Sequence, residues 1–296
     1  MDDDTEAYIL LLLSDSNLPT GSFVASAGLE SYVTHGFFSS PTQSLQPRNK
    51  MDATIDFLRD SLKSYARSAL PFVSDAHDTI RKLLLAPQDA PEQSLDSELQ
   101  MITALDDLYE SMTLNHVARR ASKSQGVALL TLYSKGFSRP STRRQRQTQV
   151  IEPPSTDNEF WETRAGIFVE KLKSLIRQDR TPGHLPICWG VLTACLDLSR
   201  ERSQFLHSFL HVRSLLSASV RLNTIGPYAA QQLLLHSVRP LVEAEAMRSR
   251  DLHTEIGSSH SGGPIEETKH GPAVTWPLGE ILAARHDLQH SRIFNS

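Results

Sequence analysis

The chain has 296 residues, of which 39% are hydrophobic and 22% charged, and its formal net charge is −4. Such a length can bury a full core, and such a balance belongs to a globular chain and not a disordered one. The acidic surplus argues against a nucleic-acid binder, whose electrostatic footprint is a basic face, and no apolar run reaches the about eighteen residues that a membrane helix needs.

Met1 to Leu13 opens with three aspartates before a short apolar run, the wrong charge and length for a secretory signal, so the chain is expected in the cytoplasm. Ser14 to Tyr32, SDSNLPTGSFVASAGLESY, then reads as a sharp corner. Asp15, Ser16 and Asn17 can bond neighbouring backbone groups, while Pro19 and Gly21 punctuate the chain. A second segment is expected from about Ser22, with Phe23, Ala27 and Tyr32 on its apolar side. Ala25, Ser26, Ala27 and Gly28 keep its profile low, so that another backbone can come close. A helix-to-helix corner packed in the core and a functional loop both fit this pattern.

Residues 37–50 form a polar connection with two prolines. Met51, Ile55, Leu58, Leu62, Tyr65 and Ala69 then share one helical face, which Pro71 is expected to stop, and Phe72, Ala76, Ile80 and Leu83 form the face of a further helix. Residues 99–117 repeat the pattern through Ile102, Leu105, Tyr109, Met112 and His116, and Val127 to Tyr133 is another apolar piece. His116 reads as a hydrogen-bonded histidine at the edge of the core, because no cysteine, histidine or acid stands three or four residues away. Residues 136–158 are a polar insert, and its basic run Arg143, Arg144 and Arg146 reads as a solvated loop.

Trp161, Ala165, Phe168, Leu172 and Leu175 restore the helical period. His184 to Leu198, HLPICWGVLTACLDL, is apolar almost all round, as a central buried helix would be. Its two cysteines, Cys188 and Cys195, have neither disulfide-framework nor CxxC spacing and read as buried thiols. Phe205 to Leu222 is a long helix, Gly226 and Pro227 break it, and Tyr228 to Arg248 begins again. A Gly-, Ser- and His-rich insert, residues 257–272, precedes the last helix. With roughly ten helical segments and no sustained strand alternation, the expected fold is all-α, a single bundle-like domain over residues 1–296 with polar loop inserts.

The sequence contains no GxxxxGK[ST] or GxGxxG phosphate loop and no GxSxG elbow. Two histidine pairs have i, i+4 spacing, His207 with His211 and His286 with His290. Two ligands hold a metal weakly, and a catalytic zinc takes three. HDLQH differs from the HExxH metalloprotease helix by one methylene, which shortens the reach of the general base. A helical metallohydrolase on His286 and His290 is therefore kept as an alternative, beside two polar histidines on an exposed helix.

Four segments together resemble one family. SDSNLPTGSFVASAGLE is similar to the signature SDS-LP-GxF-HS-GLE of the urease accessory protein F (UreF) family through Ser14, Asp15, Ser16, Leu18, Pro19, Gly21, Phe23, Ser26, Gly28, Leu29 and Glu30. HLPICWGVL resembles its H-P-(A/V)-(F/W)-G segment at His184, Pro186, Trp189 and Gly190. Arg221, Leu222, Gly226 and Gln231 match its RL-x3-G-x4-Q pattern. HDLQHSRIFNS resembles its terminal HE-x3-SRLF-x-S at His286, Asp287, Ser291, Arg292, Phe294 and Ser296. The departures are Ala25 in place of a histidine, Pro227 and Ala230 in place of a glutamine and a glycine, and the changes Asp287 and Ile293. The polar inserts are extra, and the whole is similar to eukaryotic, fungal members.

The resemblance implies an all-helical, non-enzymatic nickel-insertion chaperone with no cofactor of its own. It implies a homodimer that binds the accessory protein UreD (UreH) and recruits the nickel-carrying GTPase UreG, so that nickel passes in transit to apo-urease. No nucleic acid or membrane partner is implied. The residues it places at partner surfaces are Asp15, Pro19, Phe23, Ser26, Glu30, Tyr32, Arg221, Gln231, His286, Arg292 and Phe294. In the tail, residues 286–296, Phe294 is the expected apolar anchor and Arg292 its charged neighbour. Arg221 fits an internal ion pair at a helix corner equally well. A stand-alone GTPase-activating protein with an arginine supplied in trans is the other alternative.

Overall fold

A computed structural model describes residues 2–15, 18–38, 49–87, 93–138, 156–256 and 271–296, and every regular element among them is helical. In chain order these are α1 (Asp3–Leu13), α2 (Leu29–Thr34), α3 (Lys50–Leu85), α4 (Gln93–Met112), α5 (His116–Leu132), α6 (Thr156–Arg177), α7 (Leu185–Cys195), α8 (Arg200–Arg221), α9 (Pro227–Gln232), α10 (Arg239–Ser249) and α11 (Pro277–Ala284). Short 3-10 turns stand at Ser22–Val24 and Arg285–Leu288, and a π-helical turn, Leu233–Val238, joins α9 to α10. Most of the expected inserts, and the Arg143 to Arg146 run, lie outside the described residues. The described edges of the inserts belong to the fold: Phe37 and Phe38 pack on Tyr32, and Thr156 opens α6.

Asn49 caps α3 by accepting the Met51 N–H at 3.1 Å. Contrary to expectation, Pro71 does not end it: α3 runs 36 residues with Pro71 buried inside. Proline takes a donor from the ladder and leaves the carbonyl four residues back unpaired. That carbonyl, of Arg67, accepts the Ala273 N–H at 3.4 Å instead. The apolar stripe keeps phase through the proline, since Ala69, Phe72, Ala76, Ile80 and Leu83 follow one another at helical spacing and are all buried.

α7 is the central buried helix: every residue from Pro186 to Cys195 is buried, including both free thiols. It lies directly on α3. A Cβ at Gly190 would stand 2.6 Å from the Val73 carbonyl oxygen and 3.0 Å from the His77 nitrogen, so only glycine lets the two backbones meet here. The segment expected at 99–117 is instead split, α4 ending at Met112 and α5 starting at His116. Asn115 makes the break by accepting the Val117 and Ala118 N–H groups at 3.0 and 3.3 Å.

The entrance to α7 is built by Asp106 of α4. Its buried carboxylate accepts the Thr181 hydroxyl at 2.7 Å and the main-chain N–H groups of Gly183 and His184 at 2.5 and 2.9 Å. His184 is then held between Glu110 Oε2, at 2.6 Å from Nε2, and Ser122 Oγ, at 3.1 Å from Nδ1. This Ser, His, Glu order resembles a catalytic relay, but Ser122 Oγ already accepts the Leu185 N–H at 3.0 Å. The arrangement satisfies buried backbone groups at the start of α7.

Candidate functional site: a clasp between the corner and the tail

The second segment expected from about Ser22 opens there as a short 3-10 turn, Ser22–Val24, and is then interrupted. Gly21, Ala27 and Gly28 have φ of 74°, 46° and 86°, in the left-handed region that interrupts a helix, and α2 begins only at Leu29. Gly28 meets the expectation of a close approach, because a Cβ there would lie 3.1 Å from the Ala283 nitrogen of α11.

The tail lies along this corner. Glu30, 4% exposed, accepts the Ile293 N–H at 2.6 Å and the Phe294 N–H at 3.4 Å. The Asn295 N–H donates to the Val24 carbonyl at 2.9 Å, and the Ser26 N–H donates to a Ser296 main-chain oxygen at 2.5 Å. Gln289 Nε2 donates to Ser31 Oγ at 2.6 Å. Two stretches more than 250 residues apart in sequence thus close on one another through main-chain bonds.

Phe294, expected as an exposed anchor, is 3% exposed and packs inside its own chain. Arg221, from the end of α8, lies over its ring with Cζ 4.4 Å from the centroid, and 5.9 Å from that of Phe23. Among the described residues Arg221 pairs with no carboxylate, and a cation–π contact stands in place of the internal ion pair that was one of its two readings. Partial burial lowers its pKa. Phe23 is 57% exposed and is the ring the clasp leaves in solvent.

Outside this contact Asp287 gathers three basic side chains. Arg120 forks onto it at 3.0 and 3.1 Å, Arg292 reaches it at 2.9 Å and His116 at 3.2 Å. Hydrogen bonds from Arg120, with its charge and those of the other partners, hold the Asp287 carboxyl down to about 2. Arg120 also donates to the Asn295 carbonyl at 3.2 Å, tying α5 to the tail. His116 is therefore exposed and faces an acid distant in sequence, not the edge of the core.

The remaining expected residues divide by environment. Tyr32 is a core ring, with Phe37, Phe38 and Phe57 centroids 4.9, 5.5 and 5.0 Å away. Ser26 is buried, whereas Asp15, Pro19, Gln231 and Arg292 are exposed. His286 is 1% exposed, with Nδ1 3.7 Å from Glu30 Oε2, while His290 is exposed beyond the 3-10 turn and the extended Gln289. The two histidines thus do not share an α-helical face, and the reading of both as exposed polar residues holds only for His290. No group of three or more metal-ligating side chains occurs among the described residues.

His207 and His211 enclose Tyr65 in a stack, with centroid distances of 5.3 and 4.0 Å. Their Nε2 atoms lie 2.8 Å from the Tyr65 hydroxyl and 3.0 Å from that of Ser61. Burial pushes the His207 pKa down to about 3 and that of His211 to about 4. The stack lines a cleft of about 300 Å³ that reaches Phe23, Gly28, Trp189 and Ser296.

The geometry defines an all-α protein in which the corner, the end of α8 and the tail build one clasp. Residues 49–238 match the UreF family model. The chain is 42% identical to urease accessory protein 6 of Cryptococcus neoformans var. grubii over 98% of this chain and 97% of that protein. It is 28% identical to a UreF-like urease accessory protein of Schizosaccharomyces pombe over 100% of this chain and 99% of the relative. It is also 25% identical to urease accessory protein F of Arabidopsis thaliana, covering 96% and 90% of the two chains. The chain belongs to the UreF family of urease accessory proteins, and its role lies in urease maturation.

Proposed function

We propose that the chain is a non-catalytic scaffold of urease maturation. It dimerises, binds UreD (UreH) and recruits UreG, so that nickel passes through the complex to apo-urease without a resident cofactor on this chain. It works in the cytoplasm. The observation that supports this reading most is the convergence of three signature segments on one clasp: Glu30 grips the tail, and Arg221 covers Phe294. In this reading Asp15, Pro19, Phe23, Arg221, Gln231 and Arg292 touch partners, while Ser26, Glu30, Tyr32, His286 and Phe294 shape the surface from beneath.

Co-expression with UreD and UreG of the same organism, followed by size exclusion, tests the scaffold. A joint peak that disappears when residues 286–296 are deleted is the expected result. Elution of this chain alone, where both partners are folded, would refute the reading.

A further inference from the structure

The cleft of about 300 Å³ that the histidine stack lines is at the small end of the range of small-molecule sites. Its floor is apolar: Trp189, Leu129 and Val117 line it and are buried. Its α8 wall carries two neighbouring rows at spacings of three and four, His207, His211 and Ser214 in one and Leu210, Arg213 and Ser217 in the other. The second row passes from apolar to charged to hydroxyl along the helix.

Arg213 is the one lysine or arginine among the described lining residues. It is half-buried, and among the described residues no carboxylate pairs with it. The acids of the lining, Asp15 and Glu280, are exposed. His207 and His211 add no charge near neutral pH, because burial lowers both pKa values, and their Nε2 atoms are taken by the hydroxyls of Tyr65 and Ser61. A guanidinium keeps its proton, so Arg213 is a fixed positive charge partly withdrawn from water beside an apolar floor. In such surroundings it attracts an anion more strongly than at an open surface.

We propose that this cleft binds a small amphipathic carboxylate, with its head on Arg213 and its apolar body against Trp189, Leu129 and Val117. A planar carboxylate takes two parallel N–H bonds from one guanidinium, and its single charge matches that of Arg213. A phosphate dianion would leave one charge unmatched in a cleft that Asp15 and Glu280 share. A neutral ligand would leave Arg213 unpaired. Phe23 and Gly28 of the corner and Ser296 of the tail complete the walls, so the bound ligand also braces the clasp. The inference goes beyond the scaffold reading and does not rest on it, since the site lies within one chain.

The test is titration calorimetry of the full chain with sodium octanoate, with 1-octanol as the neutral analogue and inorganic phosphate as a head without a body. Octanoate is expected to bind at one site per chain, 1-octanol at least about tenfold more weakly, and phosphate is expected not to compete. Arg213→Gln is expected to weaken octanoate at least about tenfold while leaving 1-octanol unchanged, and Arg213→Lys to restore part of the loss. Ser214→Phe, which fills the cleft, is expected to abolish binding of both; circular dichroism and Tm check that each variant folds. Absence of saturable octanoate binding to the wild type would overturn the site, and octanoate binding retained in a folded Ser214→Phe would place it outside this cleft. Equal affinity for octanoate and 1-octanol, or full octanoate affinity in Arg213→Gln, would overturn the anionic class. Displacement of octanoate by phosphate would overturn the apolar body.

Discussion

The carboxylate of Glu30, buried in the first turn of α2, accepts the main-chain N–H groups of Ile293 and Phe294. A buried carboxylate that accepts two backbone donors acts as a pin, since removing it leaves the buried Phe294 N–H without an acceptor and frees that of Ile293. Glu30→Ala is therefore expected to destabilise the protein by about 2 kcal/mol and to release the tail. Chemical denaturation reads the first effect and hydrogen exchange at residues 293–296 the second. Retained exchange protection in this variant would show that the pin does not hold the tail.

The packing of α7 on α3 gives a test remote from the clasp. Gly190→Ala sets a methyl group against the Val73 carbonyl oxygen, which is backbone and cannot rotate away. Overpacking of this kind costs about 1–3 kcal/mol, read as a lowered Tm with helicity kept. An unchanged Tm would mean that the two helices separate without cost.

Much of this arrangement was legible in the sequence, and the failures have common causes. Helical periodicity reported most elements, because an apolar stripe is a local signal. Pro71 misled, since the group that rescues the Arg67 carbonyl, Ala273, lies two hundred residues away. Phe294 misled for the opposite reason: an apolar residue in a short tail looks available until Glu30 and Arg221 come to it. Asp106 carried no local mark at all, as its three donors belong to a loop 75 or more residues away.

The His207, Tyr65 and His211 stack predicts how stability depends on acid. Both histidines have folded pKa values, about 3 and about 4, below the ordinary value of 6.5. Between those values the unfolded chain binds protons that the folded chain refuses, so stability is full above about pH 6.5 and falls as pH drops towards 4. Asp287 acts lower: its depressed carboxyl, at about 2, contributes stability above its unfolded value near 4 that is lost as pH falls through about 2. Urea titrations at a series of pH values should show a loss between pH 6.5 and 4 that is shallower in the double variant His207→Gln, His211→Gln. An equal slope in that variant would assign the loss to other groups.

The loop before α7 should be the most sensitive point in the fold. Asp106 is 1% exposed and receives three donors, two of them backbone N–H groups that have no water within reach once the carboxylate is gone. Asp106→Ala is expected to cost about 3 kcal/mol or more, because each stranded donor adds its own desolvation penalty. Asp106→Asn keeps the shape and one acceptor oxygen but turns an amide N–H₂ towards other donors, so it should fall between the wild type and alanine. The order wild type, asparagine, alanine in unfolding free energy checks the argument. If asparagine matched the wild type, the negative charge of Asp106 would have no part in holding His184 and the start of α7.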